Sequence, residues 1–124
     1  MSAPNIVHVA TINGTTVSVA IADNTPTVIV NNPADSGKVQ KVNSLTVANK
    51  AADPLAITLE IFSEDDGGGS GIALAKAIVL PENASLILID KNTSVYLVED
   101  KSLVLTCEGN DAVDVVASYE EISE

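Results

Sequence analysis

The sequence predicts an all-β fold: an antiparallel β-sandwich, jelly-roll or immunoglobulin-like, of about nine or ten short strands. Three observations lead there. From Ala77 to Ile122, four apolar runs are cut by polar turns at Pro81–Asn83, Asp90–Asn92, Glu99–Lys101 and Glu108–Asp111. Within those runs apolar residues recur at every second position: Leu86 and Leu88; Val95 and Leu97; Leu103, Leu105 and Cys107; Val113, Val115, Ala117 and Tyr119. That is the period of a pleated strand with one buried face. Turn signals every ten residues or so complete the pattern of a meander.

The earlier elements follow from the same rules. Asn5 to Ile12 reads as a first strand, and Asn13-Gly14 as a two-residue hairpin turn, since both central positions of a type I′ turn need positive φ. Thr15 to Ala22 returns with Val17, Val19 and Ile21 on one face. Asp23 to Pro26 turns the chain, and Thr27 to Val30 is a short strand that Pro26 can open without losing a ladder donor. Asn31 to Lys38 (NNPADSGK) is a loop by composition. Val39 to Ala48 is a longer strand, with Leu45 and Val47 pointing one way. After a turn over Asn49–Pro54, Leu55 to Phe62 alternates most clearly: Leu55, Ile57, Leu59 and Ile61 inside, Thr58 and Glu60 outside. Ser63 to Gly71 is a second, more flexible loop, because four glycines in five positions are too entropic to stay ordered unaided. Ile72 to Leu80 has Ala-rich helical propensity, but Ile72, Leu74, Ile78 and Leu80 favour a strand.

At 124 residues the chain is one domain, 1–124, with 1–39 as a possible N-terminal hairpin or arm. Its only aromatics are Phe62, Tyr96 and Tyr119, so Val, Ile, Leu and Ala must fill the core. That suits a thin sandwich. The net charge is −11, with 17 acids against six lysines and no arginine. This argues against nucleic acid and against anionic membranes. Residues 1–62 carry four acids and three lysines, a net of −1, while residues 63–124 carry thirteen and three, a net of −10. The plain reading is a solvating surface; the functional one is docking onto a basic partner or binding cations.

Chemistry is sparse. Cys107 is the only cysteine and His8 the only histidine, so no internal disulfide forms and no nucleophile–base or metal-ligand pattern is spelled out. Cys107 alternates with Leu103 and Leu105 and is expected to be buried. Glu64, Asp65 and Asp66 are weak calcium candidates, since hard cations take carboxylate oxygens, but the EF-hand spacing is absent. The glycines at 67–71 lack the Lys-Ser/Thr of a phosphate loop. Glu120, Glu121 and Glu124 read as a frayed acidic tail. No cofactor and no enzyme activity are expected. MSAPNIVHV has no basic region leading into an apolar run, so no signal peptide is expected and the chain stays in the cytoplasm where it is made.

Three segments carry a resemblance: Ser44–Asn49 (SLTVAN) leading to Leu55–Ile61 (LAITLEI); Val79–Leu86 (VLPENASL); and Val115–Ile122 (VVASYEEI). Their order resembles small virion structural proteins of tailed bacteriophages over roughly residues 40–123. The resemblance implies a β-sandwich that decorates or cements the capsid, bridging major capsid subunits as a homotrimer, with the virion as its location. A neck or tail component is the alternative, and a calcium- or carbohydrate-binding sandwich module a further one. Contacts to the major capsid protein and to other copies are expected from Asn5, Ile6 and Val7 in the N-terminal segment and from Asn31, Asn32, Pro33, Asp35 and Lys38 in the first loop.

Overall fold

The computed structural model describes residues 11–21, 23–108 and 113–123. They form nine strands: β1 (Thr11–Ile21), β2 (Thr27–Asn32), β3 (Lys38–Asn49), β4 (Leu55–Phe62), β5 (Gly71–Leu80), β6 (Ser85–Ile89), β7 (Val95–Leu97), β8 (Lys101–Glu108) and β9 (Val113–Ser123). Two single-turn 3₁₀ helices, Asp65–Gly67 and Lys91–Thr93, are the only helical segments among the described residues. The strands make two antiparallel sheets. One runs β1-β9-β3-β6, with β7 also on the β3 edge; the other runs β2-β8-β4-β5. The expected sandwich is the observed architecture.

The core is aliphatic and lies between the sheets. Leu45, Val47, Ile57, Leu59, Leu103, Leu105, Cys107, Val113, Val115 and Ala117 are fully buried. They are the inward members of the alternations, so the period-2 reading holds in β4, β9 and the second half of β3, which changes phase at the shift between Val42 and Ser44, while β8 is buried on both faces from Ser102 to Leu105. Burying this surface is what holds the layers together, at about 25 cal/mol per Å² of apolar area.

Three sequence expectations give way to the structure. Asn13 and Gly14 do not turn. They lie inside β1, opposite Glu121 and Glu120 of β9, in an unbroken register from Thr11–Ser123 to Ile21–Val113. A hairpin signal is local, and the long β9 template outweighs it by pairing every residue on both sides. Asn5 to Ala10 of the expected first strand lie outside the described residues, and Ile12 belongs to β1. In β5 the strict alternation fails. Its register against β4 shifts twice, and Ala77 adopts φ 50°, so Ile72, Leu74 and Ile78 are exposed and only Leu80 is buried. A bulge offsets the pleat and breaks the two-residue period. Finally, the acidic C-terminal stretch is no frayed tail through Ser123. Glu120 accepts a 2.8 Å hydrogen bond from Asn43 Nδ2, and Glu121 sits 2.6 Å from Lys38 Nζ, both within β9.

Candidate functional site

The loops that the sequence separates meet at one end of the sandwich. The β2–β3 loop, the β4–β5 loop and the β7–β8 turn are hydrogen-bonded into one surface. The β4–β5 segment closes on itself first, through Ser63 N–H to Ser70 O and Glu64 N–H to Gly68 O. Its next three main-chain N–H groups then reach the β7–β8 turn, the end of β2 and the start of β8. Asp65 N–H donates to Asp100 Oδ1 (3.1 Å), Asp66 N–H to Asn31 Oδ1 (2.7 Å) and Gly67 N–H to Ser102 Oγ (2.8 Å). Ser102 Oγ in turn donates to Glu64 O at 2.8 Å, and Lys101 Nζ to Ser63 O at 3.1 Å. In the other direction, Ala34 N–H donates to Asp65 Oδ2 at 3.1 Å.

These bonds supply the order that the glycines alone lack. Backbone groups are obligatory hydrogen-bonders, and here the N–H groups of residues 63–68 each find a fixed partner. Gly67 and Gly69 have φ of 70–80°, the left-handed region, and Gly67 lies against Val28 and Val104. The loop therefore folds over the outer face of the β2-β8 pair. That explains why Ser102 and Val104 of β8 are buried beside Leu103 and Leu105. The expected flexible loop is a hydrogen-bonded cover.

Below this cover the turn is anchored by buried polar groups. Asn32 has no exposed surface, and its Nδ2 donates to Lys38 O (3.0 Å) and Leu97 O (2.9 Å) while its Oδ1 accepts from Ser36 Oγ (2.5 Å). Asp100 N–H donates to Asn32 O at 2.9 Å. Glu99, also buried, accepts from Gly37 N–H at 3.1 Å. Gln40 donates to Asn31 O, and its Oε1 is buried without a protein partner. Lys38 is held above its ordinary pKa by its hydrogen bond to Glu121 and then by that carboxylate's charge. Burial first, and the Glu121 charge second, push the Tyr119 phenol up as well.

The exposed rim of this end is acidic. Asp35, Glu64 and Asp66 face solvent, and Asp65 and Asp100 are half-buried with oxygens already accepting main-chain N–H groups. Among the described residues no cluster of three or more His, Cys, Asp or Glu side chains could hold a metal ion. What the arrangement offers chemically is a fixed negative field.

The sequence candidates divide accordingly. Asp35, Lys38, Glu64, Asp65 and Asp66 come together at this end, and Pro33 is exposed there. Asn31 is half-buried and binds the neighbouring loop. Asn32 is wholly interior, so it cannot touch a partner, and that expectation is corrected: the polar side chain was needed inside to cap carbonyls. Asn5, Ile6 and Val7 lie outside the described residues. Ser102 and Glu99 are structural members that the loop reading missed. Their signal was present, as polar residues flanking an apolar run that is buried on both faces.

No protein-family model matches the chain, and no curated protein matches it either. Its fold is shared with solved chains. One comes from the Bacillus endospore appendages described as a novel family of disulfide-linked pili; it is 16% identical, with a TM-score of 0.55 over 91% of this chain and 88% of that one. Another comes from the Sulfolobus Turreted Icosahedral Virus, also 16% identical, with a TM-score of 0.58 over 94% of this chain but 30% of that one. At such identity the likeness is one of fold.

Proposed function

We propose that this chain is a non-enzymatic structural protein of a phage virion, a capsid decoration or cement protein that stabilises the head by bridging major capsid subunits. The carrying observation is the loop end. Three loops that would otherwise be loose are locked together, and the acids they expose (Asp35, Glu64 and Asp66) form a fixed rim. A binding surface ordered before contact loses little entropy on docking. Its charge suits a basic patch on a shell subunit and keeps a −11 protein soluble at high copy number. The motif order that resembles tailed-phage virion proteins supports the same reading, as does a fold shared with a viral chain.

The calcium-binding alternative gains less support, because oxygens of Asp65 and Asp100 are already taken by main-chain donors. The neck or tail alternative differs in location, not in chemistry. One experiment separates them: add the protein to heads that lack it and image the particles. Copies spread over the whole shell support decoration. A ring at a single vertex supports neck or tail. No binding at all overturns both. Neutralising the rim, as in the Asp35→Asn, Glu64→Gln, Asp66→Asn triple variant, is expected to weaken attachment and flatten its salt dependence.

A further inference from the structure

A two-sheet sandwich has four edges, and edges are normally guarded by charge, proline, bulges or short length. Three edges here are guarded. The β5 edge is broken by two register shifts and carries Lys76 at mid-strand. The β2 edge is six residues long, bulged between Val28 and Val30, and bounded by Pro26 and Pro33. The edge opposite β1 in its own sheet is split into β6 and β7, of five and three residues. β1 differs from all of these. It runs eleven residues, Thr11 to Ile21, without a charge, a proline or a bulge. Among the described residues it has a strand partner on one side only, β9, and Thr11 to Thr16 are exposed.

We infer that β1 is a self-association seam, on which the β1 strand of a second copy pairs antiparallel about a two-fold axis. The partner follows from the guards. A strand added to this edge must itself present an unguarded edge, and among the described strands the chain offers one, β1. A contact of β1 with β1 is isologous and closes as a dimer. The direction follows from symmetry: in one continuous sheet a two-fold axis normal to the sheet relates the two β1 strands antiparallel, so each copy contributes the same edge. The charges beside the seam do not oppose this, since Glu121, opposite Asn13, is paired with Lys38 at 2.6 Å, and Asp114, opposite Ala20, with Lys50 at 3.1 Å. The register is constrained too. An axis normal to the sheet opposes residues of the same face, so the half-buried Val17 and Val19 meet their counterparts and extend the core margin across the seam.

This reading stands apart from the shell assignment, because it is tested in solution without any particle. It also differs from the trimer that the virion resemblance implied. The buried Cys107 is the chain's only cysteine, so an added thiol can be read cleanly. Full-length Thr16→Cys, Val17→Cys and Ser18→Cys variants are oxidised mildly beside Ile87→Cys, an exposed position on the opposite edge. At least one β1 thiol is expected to cross-link into a dimer while Ile87→Cys stays monomeric. Ser18→Lys and Ser18→Glu, each alone, are expected to weaken dimerisation roughly tenfold or more by opposing like charges, and mixing the two restores it. Restoration excludes misfolding as the cause. A wild-type monomer at high concentration overturns the inference, and so does a trimer by light scattering, equal cross-linking through Ile87→Cys, or β1 thiols blocked by the chain's own residues 1–10.

Discussion

The side-chain amide of Asn32 donates a 2.9 Å hydrogen bond to the carbonyl of Leu97, joining the last residue of β2 to β7 in the opposite sheet. At the far end Asn49 does the same work in reverse. It closes β3, and its Nδ2 donates to Leu80 O (3.1 Å) at the end of β5, to Asp53 O (3.0 Å) and to Pro81 O (3.2 Å), while its Oδ1 accepts from Ala51 N–H (2.8 Å). Each end of the sandwich is thus pinned by one buried asparagine that ties sheet to sheet. Removing such a group leaves buried partners unsatisfied, which costs more than the net value of the bonds.

Asn32→Ala and Asn49→Ala are therefore each expected to destabilise the fold by about 2–3 kcal/mol in urea unfolding. The two sites are at opposite ends and share no partner, so the double variant should be additive to within about 0.5 kcal/mol. Losses below about half a kcal/mol for both would mean that water replaces the clamps freely.

Ser102 carries a different load. Its hydroxyl accepts from Gly67 N–H and donates to Glu64 O, and it is wholly buried under the β4–β5 loop. Ser102→Ala should cost about 1–3 kcal/mol. It should also raise amide exchange in residues 63–70 well before the β-core opens, since the loop loses its central fastening. Unchanged exchange there would place the order of the loop in Asn31 and Asp100 alone.

Much of this fold can be read from the residues, and the exceptions have reasons. β4 and β9 are legible because one face of each meets the opposite sheet, which stamps a period of two on the side chains, and β8 is legible as a strand from Leu103, Leu105 and Cys107 although the loop over it buries Ser102 and Val104 as well. β1 is legible only in part: Val17, Val19 and Ile21 give its inward face, but Asn13-Gly14 mimics a turn that the pairing with β9 overrides. β5 misleads because its bulge is a backbone event at Ala77, a residue type with no preference for positive φ. The loop end was visible as two loops and an acid excess. Their joining was not, because it rests on main-chain N–H groups meeting Asn31, Asp100 and Ser102, which lie some 35 residues away in the chain.

The same misreading of β1 yields a stabilising change. Gly14 sits mid-strand without positive φ, and a Cβ placed on it would meet nothing within 4 Å. A glycine there leaves the unfolded chain needlessly free. Gly14→Ala is expected to stabilise the protein by about 0.5–1 kcal/mol, seen as a higher urea midpoint at unchanged slope. Destabilisation would instead mean that position 14 does turn in solution.

Alkaline pH probes the polar end of the interior. The Lys38 amine is raised above 10.5, first by its hydrogen bond to Glu121 and then by the carboxylate charge. Its stabilising effect is complete below the unfolded pKa and is lost as pH rises through the folded one. Tyr119 is raised above 10.0, mainly by burial, so the folded chain also holds the phenol proton more tightly than the unfolded chain does. As pH passes about 10 the unfolded state gives up that proton first, and stability falls. Both groups act in one direction, so stability should be level through neutral pH and decline from about pH 10 upward. Lys38 is solvent-accessible and its share is screened, so Tyr119 should dominate. Tyr119→Phe is then expected to remove most of the alkaline decline, and Glu121→Gln a smaller part, when urea midpoints at neutral pH and near pH 10.5 are compared. A decline that survives Tyr119→Phe unchanged would move its origin away from this end of the sandwich.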